Sequence, residues 1–142
     1  MAVQDEAFGW DDQAEVTEEQ ELTVLTPGEY SYRVDGFERG HYDGGDKMGP
    51  CSVAKLELEC ANGAGEQATV RVNLYLNRKQ MWKITQFFKS CFLIEPSLPA
   101  GTAYTMPWNR VVGATGRCRI KNREYKGRTY NEVDAFIVPE GF

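Results

Sequence analysis

Two neighbouring stretches, SVAKLELEC and ATVRVNLYL, restrict the fold more than anything else in the chain. In the first, Ala54, Leu56, Leu58 and Cys60 alternate with Lys55, Glu57 and Glu59. In the second, Val70, Val72, Leu74 and Leu76 alternate with Arg71, Asn73 and Tyr75. Successive side chains of a strand point to opposite faces, so each stretch predicts a strand with one dry and one wet face. ANGAGEQ between them is turn material, and the pair predicts an antiparallel hairpin. Earlier, after Pro27 and Gly28, Tyr30, Tyr32 and Val34 alternate with Ser31, Arg33 and Asp35 and predict a first strand. The glycine-rich loop HYDGGDKMGP, residues 41–50, separates it from the second.

The period then changes. Met81, Ile84, Phe88, Cys91 and Phe92 recur at helical spacing, widened by Trp82 and Phe87, while Lys79, Lys83, Gln86 and Lys89 are polar. Asn77 with Gln80 three residues on predicts a capping box and a helix over about 78–92 whose aromatics pack into the core. The loop EPSLPAGTAYTMPWN follows, and Trp108 within it is expected to pack on the helix.

The window GRCRIKNREYKGRTYNEV, residues 116–133, holds six Arg or Lys and two acids in a chain of net charge -5. Arg117, Arg119, Lys121 and Arg123 fall on every second residue and share one face of a strand. Cys118 and Ile120 form the other. Lys126-Gly127 predicts a two-residue turn, with glycine where positive φ is needed. That register sets Ile120 opposite Val133 and Cys118 opposite Ala135 on the dry face. On the wet face Arg123 meets Tyr130, Lys121 meets Glu132, Arg119 meets Asp134 and Arg117 meets Phe136. Such a face is either a solvated sheet laced with cross-strand ion pairs or a nucleic-acid surface with Tyr125, Tyr130 and Phe136 as stacking platforms.

Five strands with one helix between the third and fourth are the order of an OB-fold, a five-stranded, partly open Greek-key barrel that binds oligonucleotides or sugars on its second and third strands. A mainly β, OB-fold-like domain over residues 27–142 is therefore expected. A β-sandwich or a split barrel with a peripheral helix is the alternative.

Charge divides the chain unevenly. Residues 1–30 carry nine acids and no Lys or Arg, whereas the other residues carry 16 bases against 12 acids. This predicts a mildly basic body behind an acidic arm, residues 1–26, partly disordered and solubilising. In a sharper reading the arm occupies the basic surface when nucleic acid is absent, or docks on a partner, and the aromatics of FGWDD suit either. No apolar run approaches the roughly 20 residues of a membrane helix. The acidic start lacks the lead-in of a secretory signal, so a cytoplasmic protein of the host cell with reduced thiols is expected. Cys60, Cys91 and Cys118 fall at core positions. With His41 the sole histidine, and Asp43 and Asp46 read as turn residues beside it, no metal site, cofactor or catalytic set is expected.

GWDD, WNRVVGATGRCRI and EYKGRTYNEV together resemble a bacteriophage family known as a domain of unknown function, whose genes lie among phage recombination and replication genes. The resemblance covers nearly the whole chain, and its C-terminal motif is the most specific part. It implies a role with single-stranded DNA beside a phage recombinase or other replication protein. It lends weight to Trp108, Gly113, Gly116, Arg117, Tyr125, Gly127 and Asn131.

The expected function is non-sequence-specific binding of single-stranded DNA. Cations would track phosphates and aromatic rings would stack on bases. The candidate residues are Arg33, Lys55, Arg71, Tyr75, Arg117, Arg119, Lys121, Arg123, Tyr125, Lys126, Arg128 and Tyr130. The alternative is an adaptor for a recombination enzyme, acting through the acidic arm or a homo-oligomer interface.

Overall fold

The computed structural model describes Trp10 and residues 23–139. Its strands are β1 (Gly28–Tyr42), β2 (Cys51–Ala61), β3 (Gln67–Tyr75), β4 (Thr115–Tyr125) and β5 (Arg128–Phe136). Helix α1 (Met81–Ser90) lies between β3 and β4. All five strands form one antiparallel sheet in the order β3-β2-β1-β4-β5.

β1 serves two partners. Its first part pairs with β4, from Gly28 opposite Ile120 to Arg33 opposite Thr115. It also pairs with β2, from Ser31 opposite Ala61 to Tyr42 opposite Cys51, with a register shift between Val34 and Gly36. Such a bulge bends a strand, which lets one strand turn between two neighbours.

The dry faces enclose a core. Tyr30, Tyr32, Val34, Leu56, Leu58, Cys60, Val70, Leu74, Cys118 and Ile120 are all buried, as their alternation predicts. α1 closes the core with Ile84, Phe87 and Phe88, and Phe87 meets Tyr32, Phe88 and Phe136 ring to ring. The Gln86 side chain accepts a hydrogen bond from the Phe136 backbone at 2.8 Å and fixes the helix to β5.

The helix differs from expectation at both ends. Its first turn, Arg78–Gln80, is 3-10, capped by the Asn77 side chain accepting from Lys79 N. Gln80 returns no side-chain bond, so the capping box is half made. Trp82 and Phe92 are exposed rather than core residues. The α-helix ends at Ser90, and Phe92 takes a left-handed conformation, which swings it off the buried stripe. Trp108 packs inward as expected, stacked on Phe37 and edge-on to Phe88.

The sheet is open. β3 and β5 approach each other, but among the described residues they share no ladder, so a closed barrel does not form. At one end residues 23–26 lie between the two edges instead. Asn131, on β5, accepts from Leu25 N and donates to Thr23 O, and Asn122 donates to Leu25 O. Glu66, just ahead of β3, accepts from Thr26 N, Thr26 Oγ1 and Tyr30 Oη. Leu25 is buried. The rest of the expected acidic arm lies outside the described residues, apart from Trp10, which is exposed.

The Thr26 N–H, the Tyr30 hydroxyl and the Thr26 hydroxyl hold the Glu66 carboxyl below the usual carboxylate range. Burial, and then Glu66 itself, pushes the Tyr30 phenol up to about 12. A carboxyl depressed in the fold stabilises above its unfolded pKa of about 4.3, and that contribution disappears as pH falls through the depressed value. The Leu25 methyl resonances should therefore hold their native shifts through the ordinary carboxylate range and move only as pH falls through that depressed value. Glu66→Gln should show shifted Leu25 signals at neutral pH. Unchanged signals in that variant would detach Leu25 from this network.

Candidate nucleic-acid interface

The basic hairpin forms as an extended pair. Lys126 and Gly127 both take positive φ, 52° and 76°, the combination that a type I′ turn requires. Ile120 faces Val133, Lys121 faces Glu132 and Arg123 faces Tyr130, in the expected register. Past Ile120 the register shifts, so Cys118 faces Phe136 rather than Ala135, and Arg119 faces Ala135 rather than Asp134. The shift corrects the reading of Phe136. It leaves the wet face and enters the core against Tyr32 and Phe87, so it offers no stacking surface.

Several candidate cations have acidic partners. Arg117 pairs with Glu29, and Arg33 with Asp35 at 2.6 Å. The Arg33 hydrogen bond holds the Asp35 carboxyl below its usual range. Lys121 lies 3.8 Å from Glu132 and 3.5 Å from Asp134; Arg123 is 3.9 Å from Glu132 and Arg71 3.8 Å from Glu57. Exposed pairs of this kind are worth about 0–1 kcal/mol, so a phosphate can displace the carboxylate at little cost. Among the described residues, Lys55, Arg119, Lys126 and Arg128 have no carboxylate within ion-pair distance.

The tip of the hairpin is aromatic as well as basic. The Arg123 guanidinium sits 5.8 Å from the Tyr125 ring centre and 5.7 Å from that of Tyr130, and Lys126 Nζ lies 5.3 Å from Tyr125. These contacts hold cations and rings side by side. Tyr125 is exposed and Tyr130 half-buried. Arg128 follows the turn directly.

The seam between β3 and β5 brings hairpin and sheet together. Thr69, Val70 and Arg71 from β3, with Arg123, Tyr130 and Asn131, line a groove of about 570 Å³. A second hollow of about 490 Å³ crosses β1–β3 past Phe37, Lys55, Arg71 and Asn73. Arg71 lines both, so the two hollows adjoin at that residue and form a track from Lys55 to Tyr130; Phe37, opposite buried Leu56 and stacked on Trp108, turns its ring to the core side of the sheet. Among the described residues no acid lines the seam, whereas Glu38 and Glu57 line the second part.

The track gathers Lys55, Arg71, Arg123 and Tyr130, with Tyr125, Lys126 and Arg128 at its hairpin end. Arg33, Arg117, Arg119 and Lys121 line neither hollow. Tyr75 sits at the end of β3, edge-on to Tyr42 at 5.2 Å. Phe37 was not singled out from the sequence. The Asp35-Gly36 break in alternation moves it to a half-buried position, with Trp108 stacked on it at 5.5 Å and Arg39 5.4 Å from its centre. An aromatic just after a break in period is the signal that could have found it.

No helix among the described residues is long and apolar enough to cross a membrane. No protein-family model matches the chain, and no curated protein is significantly similar to it.

Proposed function

We propose that this protein binds single-stranded DNA without sequence preference, along the track from Lys55 through Arg71 to Arg123 and Tyr130. The fold is read as OB-fold-like, a curled sheet whose outer face of β2 and β3 is flanked by the β4–β5 hairpin. The observation that carries the reading is the shared position of Arg71. It links a sheet-face hollow to a seam with no acid among its described lining, so that a run of cations leads to Tyr130 and, across Arg123, to Tyr125. Cations on such a path neutralise phosphates, and ring faces accept any base, so the expected specificity is for an unpaired strand rather than a sequence. The phage resemblance suits a binding protein, not an enzyme, in recombination or replication.

Fluorescent dT oligomers and a duplex of equal length, titrated at two salt concentrations, test this. The dT affinity should fall with salt at a log–log slope of about 0.7 per phosphate contacted. Duplex should bind more weakly, because paired bases cannot lie on Tyr125 and Tyr130. Equal affinity for both, or no binding to dT at low salt, overturns the proposal.

A further inference from the structure

The seam groove has a candidate occupant within the chain itself. Asn131 lines the groove, and the same side chain donates to Thr23 O at 2.7 Å and accepts from Leu25 N at 2.8 Å. Leu25 is buried, and Thr26 is bound through Glu66. The point from which residues 1–22 leave the body is therefore fixed at the groove's rim. Those residues carry eight acids and no Lys or Arg. The seam offers Arg71 and Arg123, whose carboxylate neighbours Glu57 (3.8 Å) and Glu132 (3.9 Å) are not among its described lining, and Lys126 and Arg128 belong to the same hairpin as Arg123.

We propose that the acidic segment 1–22 docks in the β3–β5 groove of its own chain and holds it until a polyanion displaces it. The inference rests on the reading above for the identity of that polyanion; the docking itself stands on tether and charge. Length permits it. Six extended residues, 17–22, reach about 20 Å, and they start from Thr23, held by the same Asn131 that lines the groove with Arg71 and Arg123. Glu18, Glu19 and Glu21 thus come within reach of Arg123 and Arg71. Tethering raises the local concentration of these carboxylates, so individually weak pairs act together. Docking and DNA compete, and a groove open one-tenth of the time binds about tenfold more weakly.

The test uses the full chain. Amide NMR shifts of residues 15–22 are compared with those of a synthetic peptide of residues 1–22. At low salt they should differ from the peptide. They should return to its values in the Arg71→Ala/Arg123→Ala variant and at high salt, where the Debye length shrinks to about 3 Å at 1 M. Shifts equal to the peptide's at low salt, or shifts indifferent to both arginines, overturn the docking. In a second arm the eight acids are replaced by Asn or Gln in the full chain, and dT affinity should rise about tenfold. Unchanged affinity overturns the competition. If neither protein binds dT, the DNA reading fails, and the amide shifts still decide whether the segment sits in the groove.

Discussion

Replacing Gly116 by alanine is expected to lower stability by about 3 kcal/mol, at the upper end of the usual cost of overpacking a core. A Cβ there would stand 2.6 Å from the Ser90 carbonyl oxygen and 2.7 Å from Tyr32 Oη. Neither can yield cheaply. The carbonyl belongs to the last residue of α1, and the Tyr32 hydroxyl is hydrogen-bonded to Ser90 Oγ inside the core. The strand must therefore move off the helix or the helix off the sheet. Urea unfolding of wild type and Gly116→Ala measures the difference. Gly63→Ala, where no heavy atom lies within 4 Å of the added carbon, serves as the control. A Gly116→Ala loss below about 1 kcal/mol would mean that the close approach of β4 to α1 is not maintained in solution.

The second large effect concerns binding. Tyr130→Ala and Tyr125→Ala should each weaken dT binding about tenfold, since a base on an aromatic face is worth roughly 1–3 kcal/mol. Both should leave the salt dependence nearly unaltered. Arg71→Ala with Arg123→Ala should do the reverse, lowering the log–log slope by about 1.4 for two lost phosphate contacts. The division between ring and cation distinguishes this surface from a merely sticky one. Equal changes in slope for both pairs would show that Tyr125 and Tyr130 act only by positioning Arg123, whose guanidinium lies between 5.7 and 5.8 Å from both rings. Folding of each variant is checked by the same urea experiment.

Period and turn chemistry made most of the sheet readable. Leu56, Leu58 and Ile120 could be assigned to the core because a charged neighbour stands on either side of each. Lys126-Gly127 set the hairpin because glycine readily supplies one of the two left-handed positions. The structure departs from these rules where one residue is inserted into a ladder. The shift beyond Ile120 reverses the face of Phe136 without a mark in its stretch, and the one at Asp35 redirects Phe37 with only a break in period to show it. The candidate site was legible as a list of cations and aromatics, but not as a path. That Arg71 meets Arg123 and Tyr130 depends on how the two sheet edges approach, a long-range fact invisible to any local window. The roles of Asn131 and Glu66 as anchors for residues 23–26 were hidden for the same reason.

The double duty of β1 has a consequence for the order of assembly during synthesis. Residues 28–33 need β4, and Gly28 pairs with Ile120, so that side of β1 waits until most of the chain has left the ribosome. The β1-β2-β3 meander and α1 are made first and pair locally. Non-local pairing of this kind places folding in the millisecond-to-second range. Throughout that wait the Gly28–Arg33 backbone presents an edge unpaired on the β4 side, open to misassociation with another chain.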